Sequence, residues 1–132
     1  MGKSFRLRAS LVTLPHMLRR KKEWDPEDVL RRQLAMNRQT WAALQSQGVT
    51  QETELRLDFM YKAAYSEKAN ALAGFLRAAT DYDVRADDAS VSGTTQATAV
   101  GPEILDEWVT WMVLIGYEHG RCQFDGWGAA VP

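Results

Sequence analysis

A chain of 132 residues with 45% hydrophobic and 25% charged side chains has the composition of an ordinary globular protein and the length for one self-sufficient core. Its single cysteine, Cys122, excludes an intrachain disulfide and a cysteine-rich metal site, and no run reaches the ~20 apolar residues of a membrane span. The net charge of −1 conceals a divided chain: residues 1–24 hold seven bases against one acid, Glu23, and the remainder holds nine bases against sixteen acids.

In the basic N-terminal extension, Phe5, Leu7, Ala9 and Leu11 alternate with Arg6, Arg8 and Ser10. That is the period of a short strand, which Pro15 ends. The segment lacks the form of a secretory leader. Its apolar stretch, Leu11 to Leu18, is short and holds Pro15 and His16. It runs into Arg19-Arg20-Lys21-Lys22 where a leader would have small residues for cleavage. The acid-free, Arg-rich composition is also that of an organellar address, but the plainer expectation is a solvated or lightly docked extension on a cytoplasmic protein. The cluster Arg19, Arg20, Lys21 and Lys22 suits RNA phosphates, an acidic lipid surface or the acidic body of the chain itself. With Phe5 as the one aromatic before Trp24, direct nucleic-acid binding there is weak and salt-dependent at most.

The first firm element starts at Trp24-Asp25-Pro26-Glu27-Asp28. Asp25 is an N-cap, Pro26 suits the first helical position, and Glu27 and Asp28 meet the positive end of the dipole. Trp24 and Val29 hold the positions of a hydrophobic staple. Leu30, Leu34, Asn37, Trp41 and Leu44 follow on one helical face, and Gly48 offers a left-handed exit. The expectation is a helix over 26–46.

Leu55, Leu57, Phe59 and Tyr61 alternate with polar or long side chains, giving a half-buried strand over 54–62. A second helix is expected over about 66–79, with Ala69, Leu72, Ala73, Leu76 and Ala79 inward. Tyr82, Val84 and Ala86 indicate a strand. Asp87 to Gly93 reads as a turn from its Asp, Ser and Gly content, and Thr94 to Val100 as a third strand. Gly101-Pro102-Glu103 opens a third helix that frays at Gly116 and Gly120. The last strand lies at about 122–131. From residue 54 the order is β-α-β-β-α-β. That order gives an α+β class and a ferredoxin-like, split β-α-β sandwich with an extra N-terminal helix, over 25–132.

At this point the chain resembles the RraB-like family, the ribonuclease E inhibitors or regulators of ribonuclease activity B. The resemblance is spread over about 26–131. It is carried by the leading helix Asp28-Val29-Leu30-Arg31-Arg32-Gln33-Leu34, the strand Leu57-Asp58-Phe59-Met60-Tyr61, Ser66-Glu67-Lys68-Ala69, Tyr82-Asp83-Val84 and, most specifically, Phe124-Asp125-Gly126-Trp127-Gly128. Members often place an aromatic-Pro step after the first strand, where this chain has Lys62-Ala63-Ala64-Tyr65, and the basic extension has no counterpart. The resemblance implies a non-catalytic protein that binds the endoribonuclease ribonuclease E, on its scaffold region, and modulates RNA cleavage.

The motif Asp125-Gly126-Trp127-Gly128 is either partner-facing or a structural device. Strict alternation puts Phe124 and Trp127 on opposite faces. A bulge at Gly126 brings them to one face, with Asp125 free to bind backbone N–H groups in the kink. Trp108 to Ile115 is apolar on more than one helical face. The surplus is expected at Trp108, Trp111, Met112, Val113 or Ile115. It would meet the extension, helix 26–46 or a second copy in a homodimer. His16, His119 and Cys122 do not complete a zinc site. Cys122 reads as a buried small hydrophobe, and His119 as exposed at a helix end. Glu103, Asp106, Glu107, Asp81, Asp83, Asp87 and Asp88 form no recognisable catalytic constellation, so no enzyme, metal or cofactor is expected. The alternative is a ferredoxin-like module binding RNA or a small molecule, with Phe59 and Tyr61 on an open sheet face. An immunity-type or antitoxin partner is not separable from the first reading.

Overall fold

The computed structural model describes residues 24–132. The strand expected over residues 5–11 and the cluster Arg19-Arg20-Lys21-Lys22 lie outside the described residues.

Helix α1 spans Pro26–Ser46. Its first turn is held by the Asp25 carboxylate, which accepts from the Glu27 N–H at 3.0 Å. Its end is a Schellman turn. The Val49 N–H donates to the Leu44 carbonyl at 3.1 Å, and that of Gly48 to Gln45 at 3.0 Å. Gly48 takes the positive φ of +97° that this exit demands. Two short strands follow in place of one: β1 (Glu54–Leu55) and β2 (Leu57–Lys62). Alternation continues through both, but the chain changes sheets at Arg56. Helix α2 (Ser66–Ala79) buries Ala69, Leu72, Ala73 and Leu76. Ala79, expected inward, is exposed, because it lies in the last turn, where Thr80 closes the helix by donating to the Leu76 carbonyl.

Strands β3 (Asp83–Asp87) and β4 (Ser90–Thr94) form a hairpin, and β5 (Thr98–Ala99) pairs antiparallel with β1. The turn expected over 87–93 is mostly strand, and the strand expected over 94–100 is reduced to the two residues of β5. The turn is Asp88-Ala89 alone, with Asp88 at a φ of +55°, a conformation Asp tolerates. Gly93 sits inside β4 for a steric reason. A Cβ there would lie 2.4 Å from the Asp83 carbonyl oxygen and 2.5 Å from Phe59 Cζ. Helix α3 (Pro102–Glu118) and strand β6 (Gln123–Ala129) complete the chain.

The class is α+β. The larger sheet has the order β3-β4-β2-β6 with every neighbouring pair antiparallel. Strands β2 and β3, joined through α2, therefore run parallel with β4 between them. Leu57, Phe59 and Tyr61 of the central strand are buried beneath the helices, while Asp58, Met60 and Lys62 are exposed on the other face. Phe59 and Tyr61 are thus core aromatics and not the open-face platform of the RNA-binding alternative. Helix α1 packs beside α3 and reaches β6. It takes up the apolar surplus of α3 through Val29, Trp41 and Leu44. Met112 and Val113 are fully buried and Ile115 is 6% exposed, so these residues belong to the core of the protein itself and leave no face for a second copy there. Gly116, expected at a fraying end, is buried within α3.

Candidate functional site

Strand β6 carries the device that organises the site. Its register against β2 pairs Tyr61 with Phe124 but Met60 with Gly126, so Asp125 is an additional residue. Gly126 adopts a φ of +126°, open to glycine and strained for other residues. The bulge turns Phe124 and Trp127 toward the same layer. Both rings stand edge-on to Trp108 of α3, at centroid distances of 6.3 and 6.2 Å. The Asp125 carboxylate, expected to bind backbone in the kink, instead lies 3.7 Å from the Lys62 ammonium on the exposed face.

Trp127 also closes a polar latch. Its indole N–H donates to Asn37 Oδ1 of α1 at 2.8 Å. Asn37 Nδ2 in turn donates to Asp106 Oδ1 of α3 at 3.0 Å. Asn37 is only 3% exposed, so both halves of its amide need partners, and the latch supplies them. Sequence reasoning placed Asn37 on the inward face of α1 and missed its role. A buried amide at an otherwise apolar helical position was the available signal. Trp108 has a second bond of this kind, its N–H donating to the Tyr82 hydroxyl at 3.0 Å. The Tyr61 hydroxyl donates to the Met112 carbonyl at 2.7 Å.

Two tyrosine hydroxyls and the single thiol are engaged in the core. Burial holds the Tyr61 hydroxyl well above the ordinary tyrosine range. Tyr82 is raised by burial and partly lowered by its bond from Trp108. Cys122 is fully buried, with its thiol 3.4 Å from the Lys68 carbonyl oxygen, and burial pushes it up to about 11. His119 is half-buried, where an exposed ring was expected. It stacks on Phe75 at 3.8 Å and 14°, a contact available because α3 ends beside α2. No group of three or more His, Cys, Asp or Glu able to hold a metal exists among the described residues. No helix among them is long and apolar enough to cross a membrane.

The Cys122 thiol makes a pH test. It is neutral when protonated, and the fold favours that form, so its stabilisation is complete below the unfolded thiol pKa of about 8.5. It is lost as pH rises toward about 11. Urea midpoints measured from pH 8 to 11 are expected to fall, by at most about 1.4 kcal/mol per pH unit from this thiol. Cys122→Ala removes the part of the slope lying below the tyrosine range. A wild-type slope identical to that of Cys122→Ala between pH 8.5 and 10 would refute this.

Among the described residues, concavities flank this core in three places. One, of about 350 Å³, lies between α1 and the bulged edge, lined by Gln33, Met36 and Thr40 on one side and Asp58, Met60 and Gly126 on the other, backed by Trp127. A second, also about 350 Å³, lies where β4 leads into β5, over Tyr82 and Trp108, with Asp81, Gln96 and exposed Ile104 at its sides. A third, of about 310 Å³, is an α3 surface cleft of Asp106, Glu107, Thr110, Trp111 and Leu114. Of the residues expected at an oligomer face, only Trp111 reaches this cleft, half-buried beside Phe75. The structure gathers Phe124 and Trp127 with Trp108 and leaves Asp125 outside with Lys62.

No protein-family model matches this chain, and no curated protein matches it.

Proposed function

We propose that this chain is a non-catalytic regulatory module of the ferredoxin-like plan that recognises another polypeptide in the cytoplasm and modulates an endoribonuclease of the ribonuclease E type. The supporting observation is the groove at the bulged edge. Exposed methionines and carboxylates there surround a motif whose half-buried indole has its N–H engaged by Asn37. The strand order β3-β4-β2-β6 supports the plan. The resemblance through Phe124-Asp125-Gly126-Trp127-Gly128 supports the class of partner. The acidic body disfavours direct contact with RNA phosphates and favours a basic protein segment.

The test is a cleavage assay with purified ribonuclease E, scaffold region included, on a labelled RNA, with and without the full chain, at low and high salt. Slower cleavage that recovers as salt rises is the expected result. Cleavage unchanged by a large excess of the protein at low salt would remove this reading.

A further inference from the structure

The groove between α1 and β6 displays features that the internal architecture does not require. Strand β6 ends the order β3-β4-β2-β6, so among the described residues its outer edge has no strand beside it. Such an edge presents N–H and C=O groups to whatever extended chain approaches. Met36 on α1 and Met60 on β2, on opposite sides of the groove, are 50% and 47% exposed. Flexible, polarizable methionines are the side chains of adaptable binding surfaces.

Gly128 adds an independent observation. Its φ is not in the left-handed region, and a Cβ built on it would meet nothing within 4 Å. Neither backbone strain nor internal crowding calls for glycine there, although glycine weakens a strand. It lies across from exposed Asp58, two residues beyond Gly126, whose own Cβ position is equally empty. These bare positions leave the sheet low beside Met60, so another main chain can approach closely. The charges at the groove are Asp58, whose Oδ1 accepts from Thr94 at 2.8 Å, and Asp125, set against Lys62. The exposed Lys62–Asp125 pair is loosely held and free to exchange partners. Residues 25–132 carry sixteen acids and nine bases, so the wider field also attracts cations.

We propose that this groove is a docking site for an extended segment of a partner protein in which apolar and basic residues alternate. The segment lies along the edge of β6 in the manner of an added strand. One apolar side chain rests over Gly126 between Met36 and Met60, and a basic side chain meets Asp58 or Asp125. A helix would leave the edge groups of β6 unanswered, and a nucleic acid would bring phosphates against two carboxylates. The assignment rests on the proposed polypeptide-binding function and names the face that performs it.

The test uses the full chain and fluorescence anisotropy with labelled, end-capped peptides of about six residues, a common strand length. One alternates Leu with Arg and the other Leu with Glu. The Leu-Arg peptide is expected to bind and the Leu-Glu peptide is not. Gly128→Thr and Met60→Lys are each expected to weaken binding at least tenfold without lowering Tm, since one adds a strand-favouring side chain and the other changes an exposed one. Failure of the Leu-Arg peptide to bind overturns the proposal, as does equal binding of both peptides or undiminished binding by both variants. Concentration-dependent self-association abolished by Gly128→Thr would give the groove to a second copy and also overturn it. The same variants in the ribonuclease assay separate the two readings. Inhibition by the wild type that both variants retain removes the groove and leaves the function. Peptide binding that fails in the variants, with no effect of the wild type on cleavage, leaves the groove and removes the ribonuclease.

Discussion

Asn37→Ala is expected to destabilise the protein by about 3 kcal/mol, a large share of the stability of a domain this size. The amide bridges three elements: it accepts from Trp127 of β6 and donates to Asp106 of α3. Removing it leaves the indole N–H facing the space under α1 with no acceptor and deprives Asp106 of a charge-assisted bond. Trp127→Phe removes the donor and part of a ring packed against Trp108, and is expected to cost about 2 kcal/mol, through the orphaned Asn37 Oδ1 and the lost packing together. Because both changes break the same bond, their costs should not add. The double variant is expected to be less destabilised than the sum by about 1 kcal/mol or more. Urea titrations followed by far-ultraviolet circular dichroism measure all three. Strict additivity would mean that the two side chains act independently and that the latch carries no energetic coupling.

The same latch shows how far local patterns reach. Helix α1 was legible to the residue, because Asp25, Pro26 and Gly48 are signals acting over a few bonds. The β2 alternation was legible for the same reason, and the surplus apolar face of α3 correctly announced a further partner. The partner itself, α1, depends on how three helices share one sheet, and no periodicity records that. The β3–β4 hairpin was misread because Ser90, Ser92 and Gly93 have the composition of a turn. The Phe59 ring, 34 residues earlier in the chain, and the Asp83 carbonyl of the neighbouring strand explain why position 93 must lack a side chain. The bulge at Gly126 was visible in outline, since two glycines around a tryptophan in a strand need a cause. The direction of Asp125 was not visible, because Lys62 reaches it across the sheet. For the candidate site, Trp127 and the glycines are legible in the motif itself. Met36, Met60 and Asn37 join them only through the packing of α1 against β6.

Gly116→Ala is expected to reverse the usual sign of a glycine-to-alanine change within a helix. At an unhindered helical site, alanine gains roughly 0.5–1 kcal/mol over glycine. Gly74 in α2 is such a site, with nothing within 4 Å of a built Cβ, and Gly74→Ala should raise stability by about that amount. At Gly116 the added carbon would lie 2.4 Å from Tyr61 Cε2 and 2.8 Å from the Cys122 carbonyl oxygen. Neither neighbour yields easily. The carbonyl is main chain at the turn into β6. The Tyr61 ring is fully buried, edge-on to Phe59 and Phe124, and tied through its hydroxyl to Met112. Overpacking of this kind costs about 1–3 kcal/mol, and the upper end is expected because displacing Tyr61 also strains its hydrogen bond. Gly116 therefore sets how closely α3 approaches β2, and so where Trp108 stands beneath Trp127. Shrinking the obstacle should restore part of the loss: Gly116→Ala in a Tyr61→Leu background is expected to cost less than in the wild type. Thermal and urea unfolding of the four proteins in that cycle, with Gly74→Ala beside them, distinguish a steric origin from a general intolerance of change in α3. An equal cost of Gly116→Ala with and without the Tyr61 ring would locate the clash elsewhere.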